Sequence, residues 1–381
     1  MSEAATRQRF LIISNGHGED AIAAQFVASM PSNIAVEAYP MIGSGKAYYG
    51  VCPIVGPRAT LASEGWRNVK GSVRRDIVNG GLRTIPPALK FLRAARKQYH
   101  KVIVLGDVTG VLACMATGHR DIFYIDVYKT GAARLYSRLE RLVIGRTCKV
   151  VFCRADNLAA LLREDGVDAR CAGNLMMDTI PHGEYDTQSR RSRPFAVTLL
   201  PGSRAMTPES FALQVAGLRL LPEALRPDIF LAVAGSVNID EMAKAAGLSR
   251  TSVLSTEPDD LGMLAGTGLQ IYLARGRAMG NLLAAADVVL SQAGTATVQS
   301  LGLGKPVITF RNARDRRSRF EDEQKLFGEA RVVLDAQAGQ IVEALAHLLQ
   351  DDAERQRLGA IGRQRIGGPG AIDQVLTALT A

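Results

Sequence analysis

Several things are scarce in this sequence, and each scarcity removes a class of protein. No run of about 18 apolar residues occurs, which removes a membrane-spanning helix. The opening residues, MSEAATRQRF, lack the apolar centre of a secretory leader and enter a strand at once, so a cytosolic chain is expected. Cysteine is limited to Cys52, Cys114, Cys148, Cys153 and Cys171. An odd number in apolar surroundings, with no export signal, reads as reduced thiols rather than a disulfide framework. Cys148 and Cys153 have no histidine or cysteine pair nearby, which argues against zinc. The turn after the first strand lacks the GxGxxG spacing of a dinucleotide site. Gly43-Ser44-Gly45-Lys46 lacks the leading glycine of a Walker loop, because Pro40 stands there, and reads as an ordinary loop. No short solenoid-type repeat is visible.

Acidic residues are scarce in one place. Between Arg58 and Lys101 stand eleven cations against Glu64 and Asp76 alone, an excess equal to the net charge of +9 on the whole chain. Apolar residues such as Val69, Val73 and Ile77 interleave there with Arg67, Lys70, Arg74 and Arg75, and Arg83 continues the charge. The only tryptophan, Trp66, lies in the same stretch. Basic charge beside apolar bulk suits an anionic bilayer surface, with a solvated helix face as the plain alternative. Nucleic acid is not expected, because no recognised binding motif accompanies the charge.

What is plentiful is the βα alternation. A length of 381 residues exceeds one ordinary core, so two domains are expected. Short apolar runs at Phe10 to Ile13, Ile34 to Tyr39, Val102 to Leu105, Ile122 to Asp126, Val150 to Cys153 and Val167 to Cys171 read as parallel strands buried on both faces. From Met177 to Pro194 the chain turns polar. The pattern then restarts at Phe195 to Leu200, Ile229 to Val233, Ser252 to Leu254, Gln270 to Leu273, Val288 to Leu290 and Val307 to Phe310. Helices follow from about Glu321 to Gly328, Ala338 to Leu349 and Asp352 to Ile366, and the final one begins at Ala371. This predicts an α/β chain of two doubly wound, Rossmann-like domains facing a cleft: residues 1–176, a linker at 177–194, residues 195–366, and a C-terminal helix within 367–381.

Ligands of such folds gather at the carboxyl ends of the strands. After the first strand stand Ser14-Asn15-Gly16-His17-Gly18-Glu19-Asp20, where His17 and Glu19 could exchange protons or serve as a polar helix cap. Asp107 follows Gly106 at another strand end, as a base or a cap. In the second half, Pro201-Gly202-Ser203-Arg204 admits a phosphate and supplies a cation to neutralise it. Gly235 ends a further strand, and Met279 opens the helix that leads to Val288. Gly294, Thr295, Ala296 and Thr297 then place N–H groups and hydroxyls at a helix start. Gln299, one turn on, could hydrogen-bond a ribose hydroxyl. The plain alternative for this stretch is a βαβ turn of small residues.

Taken together, LLPGSR from Leu199, Gly173-Asn174 before Met-Met-Asp, and GTATVQSLGLGKPV resemble the lipid-A-disaccharide synthase family, with SNGHGED more similar to that family's related subgroup. The resemblance spreads over nearly the whole length. It implies a GT-B fold whose C-terminal helices pack back toward the N-terminal domain. It also implies an inverting, metal-independent glycosyltransferase, without a cofactor, that joins a UDP-activated glucosamine-type sugar to a lipid-borne acceptor at the inner face of the cell membrane. His17 or Asp107 would be the base, Glu19 an orienting group, and Arg204, Gly294, Thr295 and Thr297 would stabilise the departing UDP. Three departures stand out. His17 replaces the family's usual turn. Asp107 stands without the second aspartate of the family's acidic motif. Gln299 occupies the place of a ribose-binding glutamate. A UDP-N-acetylglucosamine 2-epimerase, which shares the two-domain plan, and a non-catalytic nucleotide- or lipid-binding relative are the alternatives.

Overall fold

The structure is a computed structural model that describes residues 8–59, 81–203, 206–235, 237–251, 257–312 and 317–380. The chain divides into two compact units, residues 1–179 with 369–381, and residues 180–368.

Unit 1 is built on a six-stranded parallel sheet of β1 (Gln8–Ser14), β2 (Ile34–Pro40), β3 (Lys101–Gly106), β4 (Ile122–Asp126), β5 (Cys148–Cys153) and β6 (Ala169–Cys171), in the order β2-β1-β3-β4-β5-β6. Side chains alternate across a strand. Phe10 and Ile12 therefore enter the core on one face, while Leu11 and Ile13 enter the core on the other. Both faces are covered, which is why these strands read as unbroken apolar runs. Helices α1 (His17–Ala28), α2 (Ile85–Ala95), α3 (Val108–Ala116), α4 (Arg138–Thr147), α5 (Asp156–Arg163) and the single turn α6 (Leu175–Asp178) follow the strands. Ser137 and Glu140 start α4 with a reciprocal capping box.

Unit 2 carries an eight-stranded sheet in the order β14-β13-β12-β7-β8-β11-β10-β9. The strands are β7 (Ala196–Leu200), β8 (Asp228–Val233), β9 (Ser249–Thr251), β10 (Asp260–Gly266), β11 (Leu269–Arg275), β12 (Val288–Ser291), β13 (Val307–Phe310) and β14 (Arg331–Leu334). Its helices are α7 (Thr207–Arg219), α8 (Ile239–Ala245), α9 (Met279–Ala285), α10 (Thr295–Gly302), α11 (Arg317–Phe327), α12 (Ala338–Gln350) and α13 (Asp352–Ile366). From β14 to β11 the sheet is parallel, and β10 and β9 extend it antiparallel. The sequence reading missed this extension. Its signal is the pair Thr267-Gly268, both at positive φ (47° and 78°), which closes a tight hairpin between β10 and β11. The strand expected at Ser252 to Leu254 lies outside the described residues.

The polar stretch before β7 is fastened down. Asn281 donates to the carbonyls of Gly183 (3.0 Å) and Tyr185 (3.1 Å) and accepts from the Gly183 N–H (2.9 Å). Asp228, 7 % exposed, accepts the N–H of Ser192 (2.9 Å), its hydroxyl (3.0 Å) and the N–H of Arg193 (2.8 Å). Replacing Asp228 by alanine strips three partners from one carboxylate. An expected loss of about 2–4 kcal/mol from unit 2 follows, to be read in a denaturant melt.

The chain finally returns to unit 1. There α14 (Ala371–Thr380) places Ala371, Ile372, Val375 and Leu379 in the core beside Phe10, Ile12 and Phe26. Of the C-terminal helices expected to pack back toward the N-terminal domain, α14 joins unit 1, whereas α12 and α13 belong to unit 2. Among the described residues no helix is long and apolar enough to cross a membrane.

Candidate active site

In unit 1 the chain leaves β1 for β2 on one side and then crosses to β3 on the other, so the topological switch lies between β1 and β3. Asn15 to Asp20 and Asp107 stand at this switch. Gly106 has φ +140°, and a Cβ on it would lie 2.5 Å from Glu19 Oε2. Only glycine leaves room for that carboxylate and accepts that backbone angle. Glu19 Oε2 accepts the Asn15 N–H (3.0 Å), and Asn15 Nδ2 donates to Asp107 Oδ1 (3.2 Å). The same Asp107 oxygen takes the Thr109 N–H (2.9 Å) and caps α3. Asp107 is therefore a cap, and it also joins Glu19 through Asn15.

Burial, and then the neighbouring Asp107 charge, hold the Glu19 carboxyl well above the usual glutamate range, while the Asn15 N–H opposes the shift. The site thus favours a neutral Glu19. A folded pKa raised above the unfolded one gives stability that is full at acid pH and lost as pH rises through the raised value. Glu19→Gln cannot ionise and removes this loss. Above neutral pH it is expected to melt later than wild type, by roughly 2–4 °C for each kcal/mol regained, with no difference near about pH 4. Thermal melts across pH check this.

Around the pair lie further buried polar groups. Asp20, 1 % exposed, accepts from the Ser14 hydroxyl (2.6 Å), which also meets Tyr48 Oη (2.7 Å). Asp126, 2 % exposed, accepts the N–H groups of Tyr128 (2.8 Å) and Lys129 (3.0 Å) and the Tyr136 hydroxyl, and burial raises its pKa. Arg154, just past β5, is pushed down to about 10 by burial, with Asp126 opposing. Its Nη2 is shielded from solvent and has no hydrogen-bond partner among the described residues, as is true of Asn174 Nδ2 and Asn15 Oδ1. The sequence reading gave no role to Arg154 or Asn15. The available signal was position, a polar residue directly after an apolar strand.

His17 is the first residue of α1, and its side chain lies outside the described residues. So do Trp66, Arg67, Lys70, Arg74 and Arg75. Arg83 is described, exposed on the turn before α2.

Unit 2 repeats the topology. Its first strand, β7, leads to β8 on one side, while β12 lies on the other, which puts the switch between β7 and β12. Gly202, at φ +98°, follows β7, and a Cβ there would lie 3.4 Å from the Gln292 carbonyl. The two loops at the switch therefore touch, and the Gln292 N–H donates to the Leu200 carbonyl (2.8 Å). Gly294 and Thr295 are exposed at the start of α10, and no side chain among the described residues caps that helix. Its first N–H groups are thus open to an anion. Ala296 is half-buried in the same turn. Gly202 and Ser203 follow β7, exposed Gly235 follows β8, and half-buried Met279 follows β11. Because β12, β7, β8 and β11 are parallel neighbours, all of these residues share one edge of the sheet. Arg204 lies outside the described residues.

Two of the residues read as ligand-facing are buried. Thr297 is 3 % exposed; its hydroxyl sits 2.6 Å from Ser291 Oγ and donates to the Ala293 carbonyl (2.7 Å), so it shapes the turn from inside. Gln299 is 1 % exposed. The residue overlooked in unit 2 is Gln292, whose Nε2 is shielded and has no hydrogen-bond partner among the described residues.

No family model and no curated protein matches the sequence. Solved structures do match the fold. A candidate UDP-N-acetylglucosamine 2-epimerase from Listeria monocytogenes is similar over 98 % of this chain and 96 % of its own, with TM-score 0.61 and 14 % identity. The UDP-GlcNAc 2-epimerase from Neisseria meningitidis bound to UDP-GlcNAc matches over 98 % and 100 %, with TM-score 0.58 and 12 % identity. The glycosyltransferase SnogD from Streptomyces nogalater matches over 98 % and 100 %, with TM-score 0.55 and 17 % identity. The fold is GT-B: two Rossmann-like α/β units with parallel sheets, matched at nearly full length.

Proposed function

We propose that the chain is a UDP-sugar-using enzyme, and specifically a glycosyltransferase that moves a glucosamine-type sugar to a lipid-linked hydroxyl, as in lipid-A-disaccharide synthase. The observation that carries this reading is the opposite chemistry of the two switch points. Unit 1 offers coupled carboxyl groups at Glu19 and Asp107, suited to handling an acceptor proton. Unit 2 offers glycines and an uncapped helix start at Gly202 and Gly294 to Ala296, suited to a diphosphate. Further support comes from the LLPGSR and GTATVQSLGLGKPV motifs and from solved relatives described as bound to UDP-GlcNAc or as glycosyltransferases.

In the proposed reaction the acceptor oxygen forms a bond to the anomeric carbon as the bond from that carbon to the diphosphate breaks. Asp107 or His17 receives the acceptor proton, and the UDP leaves toward the helix start, whose dipole stabilises its charge. No cofactor or metal takes part in this scheme. The acceptor would be met at the inner face of the cell membrane, with the enzyme bound peripherally. A UDP-N-acetylglucosamine 2-epimerase is the second reading, favoured by solved relatives that carry that description.

One experiment separates the two readings. UDP-N-acetylglucosamine and acylated UDP-glucosamine are supplied with and without a bacterial lipid extract. UDP release with a new glycolipid supports transfer. UDP-N-acetylmannosamine formed without lipid supports epimerisation. Neither product from either donor sinks both.

A further inference from the structure

Exposed apolar side chains gather in one stretch of unit 1, in and just before α4. Of the ten large hydrophobic residues exposed among the described ones, Tyr128, Leu135, Leu139 and Leu142 fall within a single short stretch. Leu139 is 67 % exposed, Leu135 52 % and Leu142 49 %. Leu139 and Leu142 line the outside of α4, whose inner face buries Val143, Ile144 and Thr147, and Leu135 lies three residues before the helix begins. Arg138 and Arg146 are exposed with Leu139 and Leu142 at helical spacing, so the outward stripe is leucine flanked by arginine. Helix α3 packs against α4 and carries Leu112, itself 39 % exposed.

Charge identifies the occupant. From Tyr128 to Lys149 the chain carries six cations and one acid, Glu140. That acid is held by Lys129 (2.9 Å), while Arg141 is held by Asp165. Arg138 and Arg146 make no ion pair among the described residues. We infer that the outward face of α4 is a landing surface for an anionic lipid bilayer. Leucines of this kind gain free energy only by leaving water, and long basic side chains beside them reach phosphate headgroups. A second copy of the same face would set arginine against arginine, and a nucleic acid backbone offers the leucines no apolar surface. These are different residues from the basic stretch 58–101 picked out in the sequence. Its purpose rests on the lipid-acceptor reading, but its test does not use sugar transfer.

The full chain is sedimented with vesicles of phosphatidylcholine, alone or mixed with phosphatidylglycerol. Wild type is expected to follow the mixed vesicles and to be released by salt. The pairs Leu139→Ser with Leu142→Ser, and Arg138→Glu with Arg146→Glu, are each expected to weaken partitioning about tenfold or more. Their melting curves should stay unchanged, because all four side chains are exposed. Vesicle binding that survives both double variants overturns the inference, and so does wild type that ignores the mixed vesicles. Loss of a dimer, or of duplex DNA binding, in place of vesicle binding overturns it as well. If vesicle binding behaves as expected but no glycolipid forms, the surface stands and the transferase reading falls.

Discussion

Asp107→Asn is expected to lower turnover by about 10²–10⁴-fold while UDP binding stays intact. The choice of asparagine matters. Asp107 Oδ1 accepts from both Thr109 N–H and Asn15 Nδ2, so alanine would also remove a helix cap at a cost of about 0.5–2 kcal/mol. Asparagine keeps an acceptor for the Thr109 N–H and loses the charge. Its effect on rate therefore reports on proton transfer rather than on folding. A thermal-shift titration with UDP supplies the binding readout. Turnover within a factor of about two of wild type would remove Asp107 from the chemistry and leave His17 as the base. Glu19→Gln should act more mildly on turnover, because burial already disfavours the charged form of this carboxyl.

The second large effect is structural. Helix α14 is held at both ends. The Asp178 carboxylate accepts the N–H groups of Gly370 and Ile372 (2.9 Å), and the Lys101 ammonium donates to the Leu379 carbonyl. A negative group at the start of a helix and a positive one at its end both oppose the helix dipole. Asp178→Ala is expected to cost unit 1 about 2–4 kcal/mol. Deleting residues 369–381 should cost more, because Ile372, Val375 and Leu379 leave the core and each contributes about 1.5–3 kcal/mol. Such a sum approaches the whole stability of an ordinary domain. Limited proteolysis is the direct measurement, with cleavage expected first within unit 1. A truncated chain as resistant as the full one would show that α14 is dispensable.

How much of this could be read beforehand depended on the kind of signal. Strands such as Phe10 to Ile13 were legible because burial on both faces leaves no polar position to confuse the pattern. Helix α13 was legible at both ends because Asp351 caps its start and Gly367, at φ +83°, stops it. Strand β14 was missed because Arg331, 4 % exposed, sits among Phe320 and Phe327, and a buried arginine does not look like a strand residue. At the site, the loops were legible and the directions of their side chains were not. Thr295 and Thr297 look alike in sequence, yet one is exposed and the other is turned inward by Ser291. The environment of Glu19 depends on Gly106 and Asp107, which are distant in the chain, and no local pattern reports such an approach.

The return of the chain to unit 1 has a consequence during synthesis. The core around Phe10, Ile12 and Phe26 stays open until α14 arrives, and α14 is made only after all of residues 180–368. At about 5–20 residues per second, the N-terminal unit waits roughly 10–40 s with its apolar groove uncovered. Unit 2 has no such dependence and can close first. The first half of the gene would thus finish folding last, and during that wait its open groove is the natural target for a chaperone.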